Sequence, residues 1–196
     1  MQVIILADKD APEAVEQSLV RALEVTATPV VVCPLDLYTS LQRYTPAGVR
    51  PIRVPLRYAQ KGAAMSLLAA TGVVKDADAV IVMDCSARLG LGALARFAEF
   101  SNTCFKAEAQ STMLCFTAKD GDDAHSFVTL RDNVVQQVVD GGRVSDVASS
   151  GVHAFQTWEV AKRAVYEMVI LGTMTDGLYN LAPAHNNLQF TTAMVL

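Results

Sequence analysis

Two short stretches of the sequence carry residues suited to holding a phosphorylated ligand. Asp84 directly follows the apolar run Val80-Ile81-Val82-Met83. A carboxylate at the end of a buried strand can hold a hard cation such as magnesium against a nucleotide's phosphates. It can equally do no more than cap the turn or helix that follows. The second stretch is Gln60-Lys61-Gly62-Ala63-Ala64. Its small residues permit close approach of a flat ligand, and a helix starting there offers amides to an anion. A tight strand-to-helix junction has the same composition.

Other chemistries find less support. His125, His153 and His185 are scattered, with no i, i+4 pair and no partner at metal-ligand spacing. Ser149-Ser150-Gly151 does not form the GxSxG elbow of a hydrolase. Gly90-Leu91-Gly92 is too short for a dinucleotide fingerprint and follows the wrong strand. The four cysteines, Cys33, Cys85, Cys104 and Cys115, have no CxxC spacing and read as buried reduced thiols, pointing to a cytoplasmic protein.

The elements that must position Asp84 and the Gly62 segment alternate regularly. Val3 to Leu6, Pro29 to Cys33, Val49 to Leu56 and Ala79 to Met83 are apolar, β-branched runs that read as strands, the last of them central. Helical spacing follows each: Asp10 as N-cap with Val15, Leu19, Ala22 and Leu23 behind it, then Leu35 to Arg43, Gly62 to Val73 and Leu91 to Phe100. This rhythm predicts a mostly parallel sheet with right-handed crossovers, whose ligands sit outside the carboxyl ends of the strands.

From about residue 106 onward the pattern changes. Thr112 to Thr117, Ser126 to Leu130 and Val134 to Val139 are strands joined by short turns, Arg131-Asp132-Asn133 forming a hairpin turn. Gly151 to Phe155 is a further strand, followed by a helix from Thr157 to about Leu171. Trp158 and Tyr166, eight residues apart, continue an apolar stripe with Ala161, Val165 and Val169 that reads as core. The apolar tail from Phe190 to Leu196 suits an edge strand or the start of further polypeptide. No linker or repeat divides the chain, so residues 1–196 read as one domain with a parallel half to about residue 105.

Composition bounds the partners. At 196 residues and 52% hydrophobic, the chain can bury a substantial core. A net charge of -4 leaves no basic surplus to displace counterions from nucleic acid. No run approaches the roughly 18 consecutive apolar residues of a membrane span, and Met1 to Ala7 lacks the basic flank of a signal peptide.

From Lys61 onward the chain resembles the sugar-1-phosphate nucleotidyltransferases, the nucleotide-sugar pyrophosphorylases. Gly62 to Ala70 is similar to their small-residue segment under the nucleobase, and Val80 to Asp84 to the strand bearing their first magnesium carboxylate. Phe127 to Leu130 with Val134 to Val139 resembles the hairpin before their Glu-Lys-Pro motif. Ser149 to Thr157 resembles their sugar-side strand, and Leu181 to Leu188 a late helix start. The likeness covers about two thirds of the chain and rests on order and spacing. It implies a three-layer, Rossmann-like mixed α/β sheet of the nucleotidyltransferase or GT-A type. It further implies nucleotide contacts at Gln60, Gly62 and Ala63, magnesium at Asp84, and sugar contacts at Asp140, Gly151 and His153. For His153 a packed or surface histidine is the ordinary alternative.

The departures bear on catalysis. The family's first strand leads into a Gly-rich loop with an Arg and a Lys-Pro pair, which stabilise the triphosphate. Here Ile5-Leu6-Ala7 runs through Asp8-Lys9-Asp10-Ala11-Pro12 straight into a helix, with Lys9 the only cation nearby. The Glu-Lys-Pro position reads Asp140-Gly141-Gly142, with Arg143 the one substitute for the lysine. Losing one charge-stabilising donor typically removes about 2.7–4 kcal/mol of barrier lowering. The expectation is a domain that binds a nucleotide or nucleotide-sugar with little or no transfer, serving surface-polysaccharide or sugar-nucleotide metabolism. An active metal-dependent transferase and a structural oligomerisation module are the alternatives, and continuation beyond Leu196 stays open.

Overall fold

The computed structural model describes residues 1–7, 12–44, 48–122 and 124–196. The expected N-cap Asp10 and the cation Lys9 lie outside the described residues. The first half alternates β1 (Gln2–Leu6), α1 (Pro12–Leu23), β2 (Val30–Cys33), α2 (Leu35–Tyr44), β3 (Arg50–Arg53), α3 (Leu56–Ala59), α4 (Ala63–Leu67), β4 (Val80–Asp84) and α5 (Ala93–Lys106). The second half runs β5 (Ser111–Thr117), β6 (Phe127–Arg131), β7 (Val134–Val139), β8 (Val147–Phe155), α6 (Trp158–Leu171) and β9 (Thr191–Val195). All nine strands join one sheet in the order β3-β2-β1-β4-β8-β5-β9-β7-β6.

The parallel half follows from the wholly apolar strands. β1 pairs parallel with β2 and β4, and β2 with β3. Successive residues point to opposite faces, so Ile4, Leu6, Val80 and Val82 join one buried cluster with α4 and α6. Val3, Ile5, Ile81 and Met83 join the other, with Val15, Leu19 and Ala22 of α1 and Phe97 of α5. In α6 the fully buried Trp158, Ala161, Ala164, Val165 and Met168 trace one face. Burying a side chain the size of Val165 or Met168 contributes about 1.5–3 kcal/mol. Thr157 caps the helix by accepting a hydrogen bond from Val160 N, and Gly172 ends it in the left-handed conformation. Tyr166 stands half-exposed, outside the buried stripe.

The antiparallel half does not form a plain sandwich layer. β6 pairs back onto β8, so β8, β5, β9, β7 and β6 close into a ring around Met113, Cys115, Val128, Val138 and Ala193. This curling is the departure from a three-layer sheet. Its pivot is β8, which begins at Val147 and not at Gly151 as expected, and lies in the middle of the sheet order. Between Leu114 and Cys115 the β8 partner jumps from Val152 to Ser149, leaving Ser150 and Gly151 as extra residues in a bulge. Bulges bend and twist a strand. The half of β8 beyond the bulge thus pairs with β4, and the half before it with β6.

Ring closure is light at two seams, each a single register pair: Val134 with Thr192, and Phe127 with Ala148. Further along β7 the edge is completed by a side chain. Asn186 accepts from Val138 N and donates to Val138 O, both at 2.8 Å. The apolar tail, expected at an edge, is β9, an interior strand of the ring between β5 and β7. Asp132 and Asn133 form the two-residue hairpin turn with φ of 51° and 62°, as a primed turn requires. The expected single helix from Gly62 to Val73 is instead α4 followed by a 3₁₀ turn, Leu68–Ala70. Leu67, Leu68 and Ala70 are all buried there, and Thr71 turns the chain extended.

Candidate functional site

A cleft of about 890 Å³ opens where the parallel sheet gives way to the ring. This is the carboxyl-end position where open α/β sheets place ligands. Ala63, Asp84, Asp140, Gly151 and His153 all line it, although they come from α4, β4, the residue after β7, and β8. Gln60 and Gly62 are not among its lining residues.

Asp84 stands at the carboxyl end of β4, where the apolar strand meets solvent. Its Oδ1 accepts from Ser86 N at 2.8 Å and from Ser86 Oγ at 2.7 Å, the self-capping turn foreseen as its plainer role. Both bonds use one oxygen. Gly151 lies beside it in the β8 bulge, with φ of +78° and a site for a Cβ only 3.2 Å from Asp84 Cβ. Asp140 accepts a short hydrogen bond from Ser126 Oγ, tying the end of β7 to the residue before β6.

The Gly62 segment has a structural duty. A Cβ on Gly62 would meet Tyr179 O at 2.7 Å and Tyr179 N at 2.9 Å, and φ is +102°. Tyr179 N donates to Lys61 O, and Ala64 N donates to Tyr179 O. The α4 amide expected for an anion is thereby engaged at Ala64. Gly62 is required for the approach of a second backbone, while its neighbour Ala63 reaches the cleft.

His153 is buried, with 3% exposure, yet borders the cleft. Its Nδ1 is 3.0 Å from His185 Nε2, and His185 Nδ1 is 2.8 Å from Ser111 Oγ. Ser111 Oγ is 2.6 Å from Thr191 Oγ1. His185 also stacks on Phe155 with ring centroids 5.0 Å apart. Burial pushes the His153 pKa down to about 3. Burial, and His153 beside it, hold His185 well below the usual histidine range. Both rings are neutral at physiological pH. The only sequence signal for His185 was its place in the Leu181–Leu188 stretch, which forms a 3₁₀ turn at Ala182–Asn187.

Sequence reasoning missed Arg88, Asp122 and Asp176, which also line the cleft. They sit in loops with no motif and meet only through the fold. Among the described residues the lining thus carries four carboxylates (Asp84, Asp122, Asp140 and Asp176) against one guanidinium. His125 hydrogen-bonds Asp122 at 3.1 Å. Arg143, the suggested substitute for a phosphate-binding lysine, is engaged elsewhere. It donates to Lys119 O and Asp146 Oδ1 and lies over the Phe127 ring. Segment Asp84 to Gly90 also walls a second hollow of about 980 Å³ against Glu13, Gln17 and Arg21 of α1.

No group of three or more His, Cys, Asp or Glu able to hold a metal occurs among the described residues. Magnesium is commonly held by one or two carboxylates together with substrate phosphates and water. The single carboxylate of Asp84 therefore fits a cation that arrives with a nucleotide, and does not build a resident site. No helix among the described residues is long and apolar enough to cross a membrane.

Neither any family model nor any curated protein matches the sequence. Solved structures do match the fold. A Bacillus anthracis protein described as a glucose-1-phosphate thymidylyltransferase, in complex with sucrose, superposes over 100% of this chain and 86% of its own. The TM-score is 0.74 at 12% identity. The inositol-1-phosphate CTP transferase of T. maritima matches 99% of this chain and 84% of its own, with TM-score 0.74 and 14% identity. A nucleoside-diphosphate-sugar pyrophosphorylase of Vibrio cholerae RC9 matches 100% and 92%, with TM-score 0.67 and 15% identity. At such identities the likeness is one of fold alone: this chain has the mixed α/β fold of the sugar-phosphate nucleotidyltransferases.

Proposed function

We propose that the chain is a nucleotidyltransferase-like domain that binds a nucleotide-sugar or nucleotide in the 890 Å³ cleft and transfers it poorly or not at all. The observation carrying this reading is that Ala63, Asp84, Asp140, Gly151 and His153, chosen for nucleotide, metal and sugar, line one cleft in this fold. The parallel half, in the three-layer Rossmann-like manner, takes the nucleotide against Ala63. Asp84 holds the magnesium ion that the phosphates bring with them. Asp140 and His153 face the sugar, and Gly151 leaves room for it.

Poor transfer follows from charge. Phosphoryl-group chemistry is driven by cations aimed at the developing negative charge. Among the described residues four lining carboxylates face one guanidinium, Arg88, and Arg143 is bonded to Lys119 O in the loop after β5 and to Asp146. Carboxylates accept hydrogen bonds from hydroxyl groups, so this lining favours a sugar over a bare polyphosphate. We place such a domain in the cytoplasm, as a regulatory or scaffolding module of surface-polysaccharide or sugar-nucleotide metabolism. It acts alone, as a homo-oligomer or as part of a longer chain.

Calorimetric titration with nucleoside triphosphates and nucleotide-sugars, with and without magnesium, tests the reading. Magnesium-dependent binding by wild type that Asp84→Ala loses supports it. Equal binding by both proteins removes the metal role, and silence across the panel removes the ligand. Release of pyrophosphate at ordinary enzymatic rates would instead establish an active transferase.

A further inference from the structure

The buried chain behind the cleft fixes which way one of its polar groups faces. Four side chains from four elements stand in line: Thr191 of β9, Ser111 of β5, His185 of the 3₁₀ turn and His153 of β8. None is more than 3% exposed. Each contact contains one hydrogen, so choosing the donor at one end sets every bond to the other end.

The choice is made at Thr191. Its hydroxyl has one hydrogen-bond partner among the described residues, Ser111 Oγ. If Ser111 were the donor, the Thr191 hydrogen would be buried with nothing to receive it, the costly kind of unsatisfied group. Thr191 therefore donates to Ser111 Oγ, and the Ser111 hydrogen goes to His185 Nδ1. A neutral His185 accepting at Nδ1 carries its proton on Nε2 and donates it to His153 Nδ1. A neutral His153 accepting at Nδ1 carries its own proton on Nε2.

That Nε2 has no protein partner among the described residues, and it is not sealed in. Trp158 Nε1 is the sole fully buried side-chain polar atom left unpartnered among them, while His153 borders the cleft. We infer that His153 presents an Nε2–H donor to the cleft, set by the Thr191–Ser111–His185 relay, and that it selects a ligand with a sugar-ring hydroxyl oxygen there as acceptor. The assignment to a sugar rests on the function proposed above. Within that reading it supplies what the carboxylates cannot. Asp84, Asp122, Asp140 and Asp176 only accept, so they take the hydrogens of ligand hydroxyls and leave a hydroxyl oxygen to be met by a donor. A neutral imidazole suits an uncharged oxygen, whereas a phosphate is better served by a guanidinium such as Arg88.

Two-bond proton–nitrogen correlation spectra of the protein labelled with ¹⁵N-histidine separate protonated from bare ring nitrogens. The expected result is that His153 and His185 each carry the proton on Nε2, unchanged from pH 8 to pH 6. A proton on His153 Nδ1 overturns the relay. His185→Leu, which removes the donor, should give His153 a mixture of both tautomers. His185→Gln, whose amide N–H can stand in, should keep the Nε2 proton. A single unchanged tautomer in His185→Leu also overturns the relay. Titration of wild type with glucose 1-phosphate and with inorganic phosphate then reads the ligand. Movement of the His153 Nε2–H signal by glucose 1-phosphate alone supports the sugar acceptor. Movement by phosphate alone overturns that assignment in favour of a phosphate oxygen. With the Nε2 proton in place, no movement by either refutes the sugar reading while the relay stands.

Discussion

A methyl group placed on Gly151 would stand 3.2 Å from the Cβ of Asp84, so the bulge in β8 and the carboxylate at the end of β4 share one space. Gly151 has φ of +78°, where a side chain costs about 1–2 kcal/mol. Gly151→Ala should lower stability by that amount, about 2–8 °C in Tm for a chain of this size. It should also displace Asp84 and weaken magnesium-dependent nucleotide binding beyond what the stability loss explains. Scanning calorimetry and ligand titration on the same sample separate the two effects.

Gly62→Ala should be worse. The conformation at φ +102° and ψ 177° is open essentially to glycine, and the added carbon meets Tyr179 backbone atoms that cannot rotate away. A loss of about 3 kcal/mol or more is expected in urea unfolding. Tyr179→Ala, which leaves that backbone in place, should not rescue it.

The two buried histidines make the fold sensitive to acid. Their folded pKa values lie below the usual value, about 3 for His153, so the unfolded chain binds the extra protons. Their contribution is fully present above about pH 6.5 and is lost as pH falls toward 3, at about 1.4 kcal/mol per pH unit per histidine. Urea unfolding at pH 7 and pH 5 should show this slope, and His153→Asn should flatten it. A slope unchanged in the variant would assign the acid sensitivity elsewhere.

Asn186 serves β7 as a missing strand would, through paired 2.8 Å bonds to Val138. Asn186→Ala strands a buried amide and a carbonyl and should cost about 2 kcal/mol. Hydrogen exchange at Val138 should quicken at least tenfold, with exchange in β1 and β4 unaffected below the global unfolding limit.

Much of this was legible in the chain because local patterns carried it. The apolar runs at Val3, Pro29 and Ala79 became β1, β2 and β4, and the Asp132-Asn133 turn followed from its residue types. What stayed hidden depended on contacts distant in sequence. The tail from Phe190 is apolar, and nothing local tells an edge strand from the interior position β9 takes between β5 and β7. Gly62 was conspicuous, yet its reason lay in Tyr179, far along the chain. His153 drew notice by alternation along its strand. Its strand partners Ser111 and Thr191 did not, because a polar residue inside a strand looks the same whether it is paired or solvated, and His185 stood out only through the Leu181–Leu188 stretch. Arg88 and Asp176 sit in loops whose residues converge only once the fold has formed.

Closure of the ring has one more consequence, for how the molecule meets other copies of itself. A sheet with two open edges can grow by adding strands at either end. Here β6 has turned back onto β8, and the terminal strand at the other end is β3, Arg50-Pro51-Ile52-Arg53. Proline has no amide hydrogen to offer, and paired arginines on two copies repel. The β3 edge is thus a poor template for adding strands. A symmetric dimer built by pairing β3 with β3 would set these arginines against each other and lack the Pro51 amide.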